Sequence, residues 1–361
     1  HKDPETGEVD LNNVENPGVT SLACHLSRAY RANPNALFVS SGDNIGSSYY
    51  LSSYMDDEGT LDVLERFRMD VSALGVHELD HGLGDLEGRV LPYATFPILA
   101  ANVSGSDALS AEGSGRGVFI KEVDGVRVGF IGVVTDELPK LVSSSTRAQL
   151  TVAPAVATAN ARAAELKDGD PANGEADVVV VLSHEDAAST ATSFSKNVDA
   201  VVAGRSHVSY AQTVTGVEGN EIAVVQPDHY GLKLGMIRLN YDRDTKKVSV
   251  VNVENRDLRQ EYCHEDDFGG VDIFALKRYN KMMDLGAARA VAQLGTDYLR
   301  GSDGVTPGAH TGTESTAADL VAESYRYWLA DMDPMEQPPA STHYVGVVRA
   351  DDLKADFRYK S

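Results

Sequence analysis

The chain has 361 residues, 42% of them apolar and 24% charged, which is the composition of an ordinary globular protein with room for two domains. No apolar run reaches the roughly 18 residues that a membrane-spanning helix needs. The opening His1-Lys2-Asp3-Pro4 lacks the apolar stretch of a secretory signal, as a mature secreted protein also would. A net charge of -22 repels phosphate backbones and argues against a nucleic-acid partner, while it favours a solvated surface and attracts divalent cations.

Short apolar runs alternate with amphipathic stretches through the first two-thirds of the chain, the pattern of an α/β domain. Residues 20–31 read as a helix with Leu22, Leu26 and Tyr30 on one face, followed by a short strand at 36–39. A helix is predicted over 60–67, a strand over 71–74 and another over 96–102. Asp124-Gly125 between apolar runs 117–121 and 126–131 predicts a hairpin. The Ala-rich stretch 153–166 reads as a helix, 177–182 as a fully buried strand and 198–203 as the next. Runs 222–225, 233–241 and 247–253 read as consecutive strands. The polar stretch 254–270 reads as a boundary, 271–294 as a long helix, 301–312 as a loop, 313–329 as a helix and 331–341 as a second loop. Cys24 and Cys263 are the only cysteines, too few for a metal cluster or a disulfide framework, and the sequence leaves open whether they pair.

Four polar clusters follow four apolar strands: Ser41-Gly42-Asp43-Asn44, Gly75-Val76-His77-Glu78-Leu79-Asp80, Ser183-His184-Glu185-Asp186 and Gly204-Arg205-Ser206-His207. In α/β proteins ligands bind beyond the carboxyl ends of strands, and Asp and His are residue types that hold divalent metals. Taken singly, Asp43 also fits a cap or a turn, and each histidine also fits a hydrogen-bonded loop or core residue. It is the four together that point to a site. Other signals are absent: Gly82 to Gly88 does not make a dinucleotide fingerprint, no Walker lysine follows a glycine loop, and no Gly-x-Ser-x-Gly elbow occurs.

These segments resemble the 5'-nucleotidase / 2',3'-cyclic-nucleotide phosphodiesterase family of the calcineurin-like metallophosphoesterase superfamily. Ser41 to Ser48 is similar to the family's GDxxGxS segment, Gly75 to Gly82 to GNHEFDxG, and Phe96 to Val103 to FPxLxANV. Leu182-Ser183-His184 resembles LSH, Gly204 to His207 resembles GHSH, and Val225 to Gly235 resembles the strand and turn that follow it. Gly312 to Thr316 resembles the opening of the family's C-terminal substrate domain.

The resemblance implies an α/β fold: a two-sheet metallophosphoesterase sandwich with helices on both outer faces, then a linker helix and an incomplete substrate domain. The corresponding divisions are 1–256, 257–294 and 295–361. It implies two divalent metal ions, such as Mn, Zn, Co or Mg, with Asp43 bridging them, His184 on one and His207 on the other. It further implies that His77, oriented by Asp80, donates to the phosphoryl group, and that the substrate is a nucleotide or other small phosphoester outside the cytoplasm. Two metals lower the pKa of a bound water and clamp an in-line displacement, so the chemistry is physically coherent.

The sequence also departs from the pattern. Val76 stands where the family has a ligating Asn, and Arg205 stands where it has a ligating His; neither side chain here can bind a metal. The family's Asp-x-His ahead of Asp43 has no counterpart within the 361 residues, and Gly346 to Phe357 matches VNAGGLRADF only loosely. Three expectations compete. The sequence is a fragment of a longer enzyme, or it is a degenerate member that keeps the fold as a nucleotide- or phosphate-binding pseudoenzyme or scaffold, or Arg205 serves as a fixed cation in place of the metal. Against the last stands an Arg205 paired with Asp43 or Glu78.

Overall fold

The computed structural model describes residues 17–48, 50–111, 117–172, 174–259, 268 and 270–284. The chain divides into two units, residues 1–287 and 288–361, and the described residues all belong to the first. The helix and loops predicted beyond 300, and Cys263, lie outside the described residues.

In chain order the strands are β1 (Phe38–Ser40), β2 (Met69–Ala73), β3 (Ile98–Leu99), β4 (Val103–Ser104), β5 (Val118–Val123), β6 (Val126–Val134) and β7 (Thr151–Val152). They continue with β8 (Val178–His184), β9 (Ala200–Ala203), β10 (Ser209–Thr215), β11 (Glu221–Pro227), β12 (Lys233–Asp242) and β13 (Lys247–Asp257). The longer helices are α1 (Gly18–Ala32), α2 (Glu58–Arg66), α3 (Ala155–Glu165) and α4 (Val271–Asp284).

Parallel strands β1, β2 and β3 form one sheet, and a six-stranded sheet runs β10-β11-β9-β8-β6-β5. Within the larger sheet β6, β8, β9 and β11 are parallel, so their carboxyl ends share one edge. Strand β8 is apolar on both faces because both are covered. Val178, Val180 and Leu182 meet Val71, Ala73 and Leu99 of the small sheet, while Val179 and Val181 pack toward Ala155, Ala159 and Ala163 of α3. The outer face of the small sheet, through Met69 and Ile98, is covered by Leu61 and Leu64 of α2 and by Leu83, Leu86 and Val90. The result is the expected two-sheet sandwich with helices on both outer faces. The β12–β13 hairpin extends the inter-sheet core through Ile237, Leu239, Val248 and Val250.

Helices α1 and α4 pack together around Ala23, Leu26, Phe67, Phe268 and Val271, and the Phe274 ring lies under the guanidiniums of Arg66 at 4.3 Å and Arg278 at 5.4 Å. Arg278 also pairs with Asp62 of α2. Cys24, fully buried on α1, is disulfide-bonded.

Three expectations change. The strand predicted over 96–102 shortens to β3 at 98–99, and the chain turns at Asn102, which donates to the Val134 and Ala153 carbonyls at 2.8 and 3.0 Å and accepts from the Val134 N–H, before β4 begins at Val103. The polar boundary starting at 254 begins later, since β13 runs to Asp257. Strand β10 had no sequence signal: its side chains are polar and largely solvent-facing, as an edge strand allows.

Leu182 is wholly buried between the sheets, one residue before Ser183 and two before His184. Leu182→Ala is expected to lower unfolding stability by about 2–5 kcal/mol in urea denaturation, with the m-value unchanged.

Candidate active site

The site is assembled from the loops that follow β1, β2, β8 and β9. The first two approach so closely that a side chain fits at neither glycine between them. A Cβ on Gly42, whose φ is +97°, would lie 2.5 Å from the Gly75 nitrogen, and a Cβ on Gly75 would lie 2.1 Å from Asp43 Oδ1. Glu78 ties the two loops together. Its carboxyl, 2% exposed, accepts N–H groups from Gly75 at 2.8 Å, Asp43 at 3.0 Å and Asn44 at 2.7 Å. Burial, followed by the charge of Asp43, pushes the Glu78 carboxyl up to about 7, against the pull of the Asn44 N–H.

This clamp fixes Asp43 in the left-handed region at φ +56°. Asp43 Oδ1 accepts the His77 N–H at 2.8 Å, and Oδ2 faces His184 Nε2 at 3.1 Å. His184 is the last residue of β8 and 1% exposed. Its Nδ1–H donates to the Ser41 carbonyl at 2.9 Å, and because a carbonyl only accepts, the tautomer is set. Nε2 therefore turns a lone pair toward a carboxylate oxygen, and this buried nitrogen makes no aligned hydrogen bond. Two acceptors face each other, and only a proton or a cation between them relieves the contact. Burial works to raise the Asp43 carboxyl, but His184 outweighs it and the net shift is downward. Burial likewise works to lower the His184 imidazole, and Asp43 outweighs it, so the net shift is upward.

His77 Nδ1–H points at both oxygens of Asp80 at 3.0 Å, which leaves Nε2 free on a half-exposed ring. The Asp80 hydrogen bond raises the His77 pKa. Asp80 Oδ2 also accepts the Ser47 N–H at 2.9 Å, so the dyad is tied to the Asp43 loop as well. His207 sits in the left-handed region at φ +58°, stacked on His229 with ring centroids 5.1 Å apart. Burial, followed by the charge of His229, lowers its pKa, with Asp43 and His77 close enough to act on it. The turn that carries His207 is held from below: Gln226 Nε2 donates to Ser206 Oγ and to the Val208 carbonyl, each at 2.6 Å, and Gln226 Oε1 accepts the Ala187 N–H at 3.0 Å.

Asp43, His77, Asp80 and His184 thus come together through direct contacts, and His207 lies within electrostatic reach of Asp43 and His77. Val76 is buried among apolar side chains. Arg205, at φ +75°, pairs with Glu137 rather than with Asp43 or Glu78, which corrects that expectation. The sequence reading names Glu78 only as a possible partner of Arg205, because its role depends on N–H groups from two loops, and names the Asp228-His229-Tyr230 turn only within the Val225–Gly235 resemblance, with no site role. The signal for that turn was present, since it too is polar and follows an apolar strand, β11.

Curated proteins share sequence with the chain, and solved structures share its fold. The chain is 33% identical over 212 residues to the cell wall protein Lmo0130 of Listeria monocytogenes, covering 52% of this chain and 26% of that protein. It is 26% identical over 251 residues to the human 5'-nucleotidase, covering 64% of this chain and 42% of that one. The crystal structure of the calcineurin-like phosphoesterase YfkN from Bacillus subtilis superposes with a TM-score of 0.62 at 21% identity, over 78% of this chain and 93% of that one. No family model matches the chain. The chain is similar to proteins of the 5'-nucleotidase / calcineurin-like phosphoesterase family. It spans less than half the length of these two curated relatives.

This family is one of divalent-metal phosphoesterases. Asp43 and the unbonded His184 nitrogen have the form of half a cation site. Val76 and the Glu137-bound Arg205 add no donor, and among the described residues no group of three or more His, Cys, Asp or Glu side chains is arranged to hold a metal. The described residues therefore do not make the family's two-metal set.

Glu78→Ala would leave three N–H groups without their acceptor and is expected to cost at least about 2 kcal/mol in thermal or urea unfolding. Because folded Glu78 keeps its proton up to about pH 7 and an unfolded glutamate to about 4.5, its contribution is greatest below 4.5 and is lost as pH rises through 7. Glu78→Gln should flatten that part of the stability–pH curve.

Proposed function

We propose that the chain is a phosphomonoester hydrolase of the 5'-nucleotidase type acting on nucleotides, with its metal-dependent turnover weakened. The convergence of Asp43, the His77–Asp80 dyad, His184 and His207 beyond the strand ends supports this reading. In it, the His77 Nε2–H donates to a phosphoryl oxygen as charge builds there, and Asp80 holds the ring in the tautomer that does so. Asp43, His184 and His207 are the residues assigned to cations, and Val76 and Arg205 mark the ligand positions that have been replaced.

A second reading is a nucleotide- or phosphate-binding pseudoenzyme. The replaced ligand positions Val76 and Arg205 favour it, although the Glu137 pair withholds the Arg205 guanidinium from a bound phosphate. The domain divisions proposed are 1–256 for the metallophosphoesterase domain, 257–294 for the connecting helix and 295–361 for the start of the substrate domain. A secreted or cell-surface setting is proposed from the Cys24 disulfide, which needs an oxidising compartment, and from the cell wall relative.

Phosphate release from AMP with Mn2+ or Co2+ is expected to exceed a metal-free control slightly. Absent release together with calorimetric AMP binding selects the pseudoenzyme, and absence of both removes either reading. The double variant Val76→Asn/Arg205→His is expected to hold more metal per chain than wild type. Unchanged metal content would show that these are not the ligand positions.

A further inference from the structure

Asp57 stands one residue ahead of α2, where an aspartate ordinarily accepts N–H groups from the first turn of its own helix. Here its side chain makes no such bond. The carboxylate, on a residue only 5% exposed, reaches back to the Asp43 loop instead. Oδ2 accepts the Gly46 N–H at 2.9 Å, and Oδ1 accepts the Ser48 hydroxyl at 2.6 Å.

Between those two anchors lies Ser47, whose N–H donates to Asp80 Oδ2 at 2.9 Å. Asp80 in turn takes the His77 Nδ1–H on both oxygens. The contact is close: a Cβ on Gly46, whose φ is +80°, would lie 2.2 Å from the His77 carbonyl oxygen and 2.8 Å from Asp80 Oδ2. Ser47 is itself left-handed at φ +45°, a conformation that a non-glycine residue keeps when its surroundings impose it. Asp56 and Asp57 are also left-handed, at φ +53° and +57°, and Arg89 Nη1 holds the Asp56 carbonyl at 2.9 Å. A carboxylate placed to stabilise α2 would point along that helix. This one brackets Ser47 from both sides.

We propose that Asp57 is a positioning residue: by gripping Gly46 and Ser48 it aims the Ser47 N–H at Asp80, and so sets the orientation in which the protonated His77 ring presents Nε2–H to a phosphoryl group. Its part in turnover rests on the phosphoester reading of the same site; the geometric claim does not.

The test is long-range 1H–15N correlation NMR of the histidine rings in the full chain and its Asp57→Ala, Asp57→Asn and Ser48→Ala variants, at a pH where the His77 ring is neutral. Wild-type His77 should be the Nδ1–H tautomer that Asp80 selects, whereas a histidine in water favours Nε2–H. Asp57→Ala should move His77 toward Nε2–H, while His184, held by the Ser41 carbonyl, keeps its Nδ1–H. Asp57→Asn should restore the wild-type tautomer, because an amide can accept the Gly46 N–H and donate to Ser48 Oγ. Ser48→Ala keeps the Gly46 bond and should give a smaller shift in the same direction; it decides the matter if Asp57→Ala does not fold. An unchanged His77 tautomer, an equal change at His184, or no recovery in Asp57→Asn would overturn the proposal. Turnover of AMP separates the two ideas. Where wild type hydrolyses AMP, Asp57→Ala should lower kcat about ten-fold with KM unchanged, and a raised KM at unchanged kcat would overturn the role in turnover. A tautomer shift in a protein that neither binds nor hydrolyses AMP keeps the geometric claim and removes the phosphoester reading.

Discussion

The buried carboxyl of Glu78 is the constraint on which the site depends. Two loops separated by more than thirty residues of sequence meet at Gly42 and Gly75, with no space for a side chain at either position. Close backbone approach leaves N–H groups with nowhere to bond, and a buried unpaired N–H is costly. Glu78 accepts three of them at once. Asp43 is thereby held in a left-handed conformation with one oxygen on the His77 N–H and the other facing His184. The clamp is reinforced by Asp80, which accepts the Ser47 N–H, and by Asn44, whose Nδ2 donates to Ser72 Oγ.

That placement produces an electrostatic imbalance. The neutral His184 ring uses its one N–H on the Ser41 carbonyl, so its second nitrogen meets Asp43 as acceptor against acceptor, and Asp43 shifts the ring toward its protonated form. A full set of ligands would resolve this with a cation, but here Val76 has turned into the apolar packing and Arg205 reaches away to Glu137. The same fold keeps the His77–Asp80 hydrogen bonds while Val76 and Arg205 add no donor beside Asp43 and His184.

Much of this was legible in the chain. The α/β layering followed from apolar runs such as 177–182, and the site from polar clusters placed just after strands, because strand ends are where loops converge. What was not legible depends on contacts distant in sequence. Glu78 in Gly75-Val76-His77-Glu78 offers no sign in sequence of the N–H groups of Asp43 and Asn44 that surround it. Arg205 finds a partner 68 residues away, which no spacing rule gives. Edge strand β10 is too polar to announce itself, and charged residues such as Glu254 and Arg256, paired at 2.9 Å on β13, look like a linker until the hairpin is in place.

The central claim is that the histidines of separate loops face one phosphate-sized space. Histidine ring resonances followed by NMR during titration with AMP test it most directly. The account predicts that the His77 and His207 signals shift together with one saturation midpoint, while His25, buried on α1, stays fixed. Independent midpoints for His77 and His207, or no shift in either, would contradict it.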